Sequence, residues 1–267
     1  MYSVIGFFKD FYMKRYALYQ LVKRDIFYRY AGSNLGFLWN IVQPLMMILV
    51  LWIVFSYAFR TPTVDTQVPF VVWLVCGLIA WNFFSDAFQN ISNVYIEYSF
   101  LVKKIQFKIV FLPFVKLISS IFTHGVFVVI CLAFLIAYDV PFQISYLQIF
   151  YYTFALIFLL CGVGLITSTA KVFVRDTTQI VAIILQFGFW LTPVVWNMSI
   201  VPEKYYFLVF LNPVAYIVQG YRDSFIYGDW FWEYPWQTLY FWLFSLIVLV
   251  VGVKLFRESK NYFADVL

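Results

Sequence analysis

The residues of this chain best suited to nucleophilic or metal chemistry are one histidine, His124, and three cysteines, Cys76, Cys131 and Cys161. Their spacing argues against both chemistries. A single histidine excludes an H-E-x-x-H zinc motif, and the sequence holds neither a G-x-x-x-x-G-K-[ST] phosphate loop nor a G-x-S-x-G nucleophile elbow. The cysteines are odd in number, lack C-x-x-C spacing and lie within apolar runs, so they read as small packing residues. His124 reads as a hydrogen-bonded packing residue rather than a ligand. No catalytic residue and no metal ligand is assigned. If the protein does energised work, the site for ATP belongs to another chain.

Two charges stand out because they fall inside apolar stretches, Asp86 and Lys116. An isolated charge at bilayer depth costs at least ~2.5 kcal/mol, so each needs a partner or a water-filled path. Asp86 lies about 11 residues before Glu97, and Lys116 about 8 after Lys108, which puts both roughly 12–17 Å inside at the helical rise. They are expected to pair across adjacent spans, or to line a substrate path, with snorkelling open to Lys116.

The elements that must hold these residues are membrane helices. Of 267 residues, 64% are hydrophobic, 24% aromatic and only 12% charged, a composition that excludes a soluble globular domain. The net charge of +5 is no sign of nucleic acid binding, because Lys and Arg flank apolar stretches instead of forming a basic face. Six segments have the ~20 apolar residues that a crossing requires, at roughly 38–59, 70–94, 109–138, 147–170, 179–198 and 237–256.

Orientation follows from Lys and Arg. One set of connections carries Lys9, Lys14, Arg15, Lys23, Arg24 and Arg29, then Lys103, Lys104 and Lys108, then Lys171 and Arg175, then Lys254, Arg257 and Lys260. The opposite set carries Arg60, Lys204 and Arg222. Both termini are expected in the cytoplasm, which suits an even number of spans. The first ~37 residues have no signal-peptide pattern, so the amino terminus is expected to be retained. Residues 4–30 are aromatic but charged throughout and suit helices lying in the cytoplasmic interface. Residues 199–236 are rich in aromatics and broken by Pro202, Pro213, Gly220, Gly228 and Pro235, and read as short helices dipping into the outer leaflet. The domain reading is a single unit over 1–267: interfacial helices at 1–37, a six-span bundle at 38–256 and a cytoplasmic tail at 257–267.

Three groups of residues carry a family resemblance. The first is Phe27-Tyr28-Arg29-Tyr30, Ser33, Leu35-Gly36, Leu38-Trp39 and Pro44-Leu45. The second is Phe173-Val174-Arg175-Asp176, before the fifth span. The third is Thr192-Pro193-Val194 with Trp196, then Val201-Pro202-Glu203, Leu211-Asn212-Pro213 and Tyr221-Arg222. In order and spacing the set resembles the permeases of polysaccharide-exporting ABC transporters, over nearly the whole chain.

What the resemblance implies is a bacterial inner-membrane protein that exports a lipid-linked O-antigen, capsular polysaccharide or teichoic acid. It implies a homodimer of permeases beside separate ATPase subunits, which bind ATP and Mg. It further implies a cytoplasmic amphipathic gate helix around 15–32 and an ATPase-facing connection around 95–108, with Arg24, Arg29, Lys103 and Lys104 as coupling residues. The segment 199–236 corresponds to extracellular gate helices, and the first and fifth spans enclose a channel with the dimer mate. Trp39, Pro44, Trp190, Pro193, Trp196, Tyr221 and Arg222 are the gate and channel candidates.

The aromatic excess supports a glycan independently, since aromatic faces stack on sugar rings, although lipid packing and interfacial belts account for many of the same residues. Three alternatives stay open: a related permease for a drug or small lipid, a membrane-embedded enzyme acting on lipid-linked sugars, and a passive channel. The scatter of Asp65, Asp139, Asp223 and Asp229 weighs against the enzyme, and the charged amphipathic collar against the channel.

Overall fold

The computed structural model describes residues 4–29, 32–58, 68–103 and 108–267, and every regular element among them is helical. Two helices come first, α1 (Val4–Met13) and α2 (Arg15–Tyr28). Then follow α3 (Trp39–Ile53), prolonged by a π-helical turn at Val54–Ala58, and α4 (Phe70–Ser92). Two single turns, α5 (Val94–Glu97) and α6 (Ser99–Val102), lead towards α7 (Leu112–Ala137). After α8 (Gln148–Phe173) and α9 (Thr177–Leu191) come the short α10 (Tyr206–Phe210) and α11 (Pro213–Arg222). The chain closes with α12 (Pro235–Ser259) and α13 (Phe263–Val266).

Helix α4 is the axis of the bundle. Residues from Phe70 to Ser92 are buried nearly throughout, against α7, α8, α9 and α11. A helix apolar all round can be covered on every side only at the centre. The tightest pairing is α8 with α12, where Gly162 and Gly252 face each other. A Cβ on Gly252 would come within 2.7 Å of the Gly162 carbonyl oxygen. Small residues let two backbones touch where no hydrophobic drive separates helix from lipid. By contrast α3 and α9 expose large apolar side chains along one face, among them Leu45, Met46, Leu49, Ile183, Ile184 and Phe187.

Helix α2 and the last residues of the chain meet at one end of the bundle. Leu21 of α2, Phe263 and Leu267 pack in one apolar cluster with Tyr95 of α5 and Phe256 of α12. Helices α10 and α11 lie at the other end, with the first turns of α8 and α12.

Five helical stretches among the described residues are long and apolar enough to cross a bilayer: Trp39–Ser56, Phe70–Ser92, Ile109–Ala137, Ile144–Phe173 and Pro235–Val266. The expected fifth span is shorter than the sequence suggests. Its 15 residues make a helix of about 22 Å, against a ~30 Å hydrocarbon core. The helix stops at Leu191 because Pro193 drives the preceding Thr192 out of the helical region, to φ −85° and ψ 138°.

Candidate functional site

The end that carries both termini is organised by α2. Leu18, Val22, Asp25 and Arg29 recur every three or four residues and so share one face, which turns inward. The apolar half of that face packs on Phe111 and Val115 at the start of α7. The charged half meets the intramembrane charges. Lys116 Nζ lies 2.5 Å from Asp25 Oδ1 and 2.6 Å from Glu97 Oε2. Arg29 Nη1 donates to both carboxylate oxygens of Asp86, at 3.0 and 3.1 Å, and its Nη2 donates to Ser120 Oγ at 3.2 Å. Asn90 Nδ2 donates to the same Asp86 at 2.8 Å. The Tyr98 hydroxyl donates to Asp25 Oδ1 at 3.0 Å. Burial and the negative charges of Asp25 and Glu97 push that phenol up, so it remains a donor.

The expected pairing of Asp86 with Lys116 is therefore corrected. Each is neutralised by α2 instead, because Asp25 and Arg29, one helical turn apart, present opposite charges to α7 and α4 at once. The joint is not fully closed. Asp25 Oδ2 and Arg29 Nε are buried, 3.9 Å apart, and neither has a hydrogen-bond partner among the described residues. A slide of roughly 0.7–1.2 Å would join them, so the clamp holds an unmade bond in reserve.

The other coupling candidates spread outward from this clamp. Arg24 lies exposed with its guanidinium 5.0 Å from the Tyr28 ring centroid and 5.2 Å from that of Phe100 on α6. Lys103, after α6, is exposed, and Lys104 lies outside the described residues. Lys108 pairs with Asp10 of α1. Arg29, expected at an ATPase contact, spends its charge inside the subunit.

The opposite end is organised by Arg222, which is 1% exposed. Its Nη1 donates to the Pro193 carbonyl at 2.6 Å, Nη2 to Val194 at 2.7 Å and Nε to Trp73 at 3.4 Å. The guanidinium also lies 3.4 Å from the Trp73 ring centroid. Gly77 on α4 leaves the slot: a Cβ there would fall 2.5 Å from Nη2. Asn212 supports the same joint. Its Oδ1 caps α11 by accepting from Val214 N at 3.0 Å, and its Nδ2 donates to Thr192 Oγ1 at 2.7 Å. The Thr192-Pro193-Val194, Leu211-Asn212-Pro213 and Tyr221-Arg222 motifs thus converge on one joint between α4, α9 and α11.

Tyr221 is buried, its hydroxyl 3.0 Å from both Thr153 Oγ1 and His124 Nε2, and His124 stacks on Phe83 with centroids 4.5 Å apart. Trp196 Nε1 donates to the Trp190 carbonyl at 2.9 Å, while the Trp190 ring stays exposed. Trp39 is exposed and donates to Ser33 Oγ, and Pro44 is buried inside α3.

Asp223, next to Arg222, accepts from Gln219 Nε2 at 2.8 Å. Burial pushes its carboxyl up to about 7, opposed by the Gln219 hydrogen bond and Arg222 and reinforced by Asp229 and Glu233. No cluster of three or more His, Cys, Asp or Glu among the described residues has the geometry to hold a metal ion.

Known proteins are similar in sequence to this chain along most of its length. The O-antigen export system permease protein RfbA of Klebsiella pneumoniae is 27% identical over 253 residues, 92% of this chain and 93% of its own. The protein of the same name from Myxococcus xanthus is 25% identical over 98% of this chain and 99% of its own. The polysialic acid transport protein KpsM of Escherichia coli is 24% identical over 94% of this chain and 96% of its own. The profile described as ABC-2 type transporter matches residues 16–226, from the clamp helix to the arginine anchor, and the chain belongs to that family.

Proposed function

We propose that the chain is the membrane-spanning permease subunit of an ATP-driven exporter that moves lipid-linked polysaccharide, O-antigen-like or capsular, across a bacterial inner membrane. It works as a homodimer beside a separate ATPase subunit that binds ATP and Mg. The names of its relatives support the polymer class, since both kinds are named for exporting or transporting a polysaccharide. The observation that carries the mechanism is the three-way contact of Lys116 with Asp25 on α2 and Glu97 on α5.

Six crossings fit this reading, with the short α9 as the fifth. Five long helices and two termini at one end of the bundle need one more crossing for parity. The excess of Lys and Arg at that end argues for the cytoplasm. Cysteine at position 204 should then react with an impermeant thiol reagent in intact cells and cysteine at position 103 should not. Labelling of 103 from outside overturns the orientation.

In the transport step, closure of the ATPase presses on the connection that holds α5, α6 and Lys103. Displacement of Glu97 shifts Lys116 and releases or tightens Asp25, so α2 moves as a gate while the anchored outer end holds still. The polymer passes between protomers, along the apolar faces of α3 and α9 where Trp39 and Trp190 lie exposed. Deleting the gene in its host should remove surface polysaccharide while lipid-linked polymer accumulates inside. Normal surface polymer in the deletion strain overturns the function.

A further inference from the structure

At the end opposite the termini, a cleft of about 230 Å³ opens between α10, α11 and the first turns of α8 and α12. Five tyrosines line it: Tyr152, Tyr206, Tyr216, Tyr227 and Tyr234. Tyr152 is pinned against the backbone of Gly220, where a Cβ would come within 2.1 Å of its ring, and Tyr216 is held by Tyr151 and Thr238 hydroxyls at 3.1 and 2.9 Å. These walls are fixed before any ligand arrives. Tyr227 and Tyr234 stand at the rim, each 37% exposed.

The polar lining is Asn197, Gln219, Asp223 and Gln237. Among the described residues neither the Gln237 amide nor the Tyr206 hydroxyl has a hydrogen-bond partner, although both are half-buried. Each can donate and accept, as a sugar hydroxyl does. Asp223 adds an acceptor already oriented by Gln219. Among the described residues no Lys or Arg lines the cleft, and the nearby Arg222 is committed to three backbone carbonyls. A phosphate or sugar acid would find no cation among the described lining residues and, once Asp223 is ionised, a carboxylate. An acyl chain would strand amides and hydroxyls without partners. The volume lies below the ~300–1,000 Å³ typical of drug-sized sites.

We propose that this cleft binds one neutral pyranose ring, its C–H face on tyrosine and its hydroxyls on Gln237, Tyr206 and Asp223. The assignment deepens the export reading by giving each subunit its own sugar site away from the path between protomers.

The test uses the full chain with its ATPase subunit in nanodiscs of a single phospholipid with no sugar in its headgroup, so every saccharide signal comes from what is added. The probes are methyl glucopyranoside, methyl galactopyranoside, methyl mannopyranoside and methyl glucuronide, read by saturation-transfer NMR. At least one neutral glycoside should show transfer to its ring protons, and the glucuronide should show little. Tyr206→Phe and Gln237→Leu, conservative changes at half-buried positions, should each weaken binding roughly threefold to tenfold, the worth of one hydrogen bond. Trp236→Ala, on an exposed ring outside the cleft, should leave it unchanged. Three results overturn the site: no transfer from any neutral glycoside, equal transfer from the glucuronide, or transfer unchanged in both cleft variants that retain the parent melting temperature. Each leaves the export reading standing, because that rests on the deletion phenotype.

Discussion

The two ends of this subunit are joined by different chemistry. At the terminal end, α2 is held by ion pairs among Asp25, Arg29, Asp86, Glu97 and Lys116, of which Glu97 is nearly half exposed and two buried polar atoms are unmatched. At the other end, Arg222 is enclosed and bonded to three backbone carbonyls that cannot leave. Glu97 and Asp86, on either side of the buried Asp25–Lys116 contact, keep partial contact with water and can exchange partners at little cost, whereas the enclosed Arg222 cation has nothing to replace its acceptors. The first joint suits a part that moves and the second a part that stays.

The largest expected effect comes from breaking the fixed end. Arg222→Met leaves the carbonyls of Trp73, Pro193 and Val194 without their donor, at a cost of about 3 kcal/mol or more. Arg222→Lys should recover little, since one ammonium cannot reach three acceptors laid out for a fork. Melting of the detergent-purified protein reads both, and a lysine variant as stable as the parent would mean that charge alone suffices there.

A middle-sized effect is expected at the clamp, where a double-mutant cycle of Lys116→Met and Asp25→Asn should show a coupling of about 1–3 kcal/mol. The parallel cycle of Lys116→Met with Asp86→Asn should show a smaller coupling, since those two charges meet only through Asp25 and Arg29. Coupling in the second cycle and none in the first reverses the assignment of partners.

The smallest effect is a pH slope. The folded-state pKa of Asp223, about 7, is raised above its ordinary value of 3.8, so the native protein binds the extra proton. That contribution is complete below the ordinary value and is lost as pH rises to about 7. Asp223→Asn should therefore flatten the fall in melting temperature between pH 5 and 7, and an unchanged slope would remove Asp223 as its source.

The helices that cross the membrane were legible because apolar length is a one-dimensional signal. The buried pair was not. Counting helical rise puts Asp86 and Lys116 at similar depth, and neighbouring turns of α2 contact both, but depth alone does not say who stands between them. The missing clue was in the sequence: Leu18, Val22, Asp25 and Arg29 share a helical face, and only a helix docked on the bundle needs that pattern. Arg222 was counted as an outer charge because its acceptors are main-chain carbonyls, which no side-chain pattern announces. The span expected at 179–198 runs through Pro193 and so misses the end of α9 at Leu191, although a proline ends the helix before it.

A clamp that transmits motion, rather than merely holding α2 in place, is needed for export as well as for stability. Surface polysaccharide should be measured in the deletion host carrying Lys116→Met, Asp25→Asn or both. The double variant should regain much of the stability lost by the singles, because no buried charge on that contact is left alone, and should still fail to export. Export at the parent level by the double variant would contradict it, leaving the ion pairs as structural contacts only.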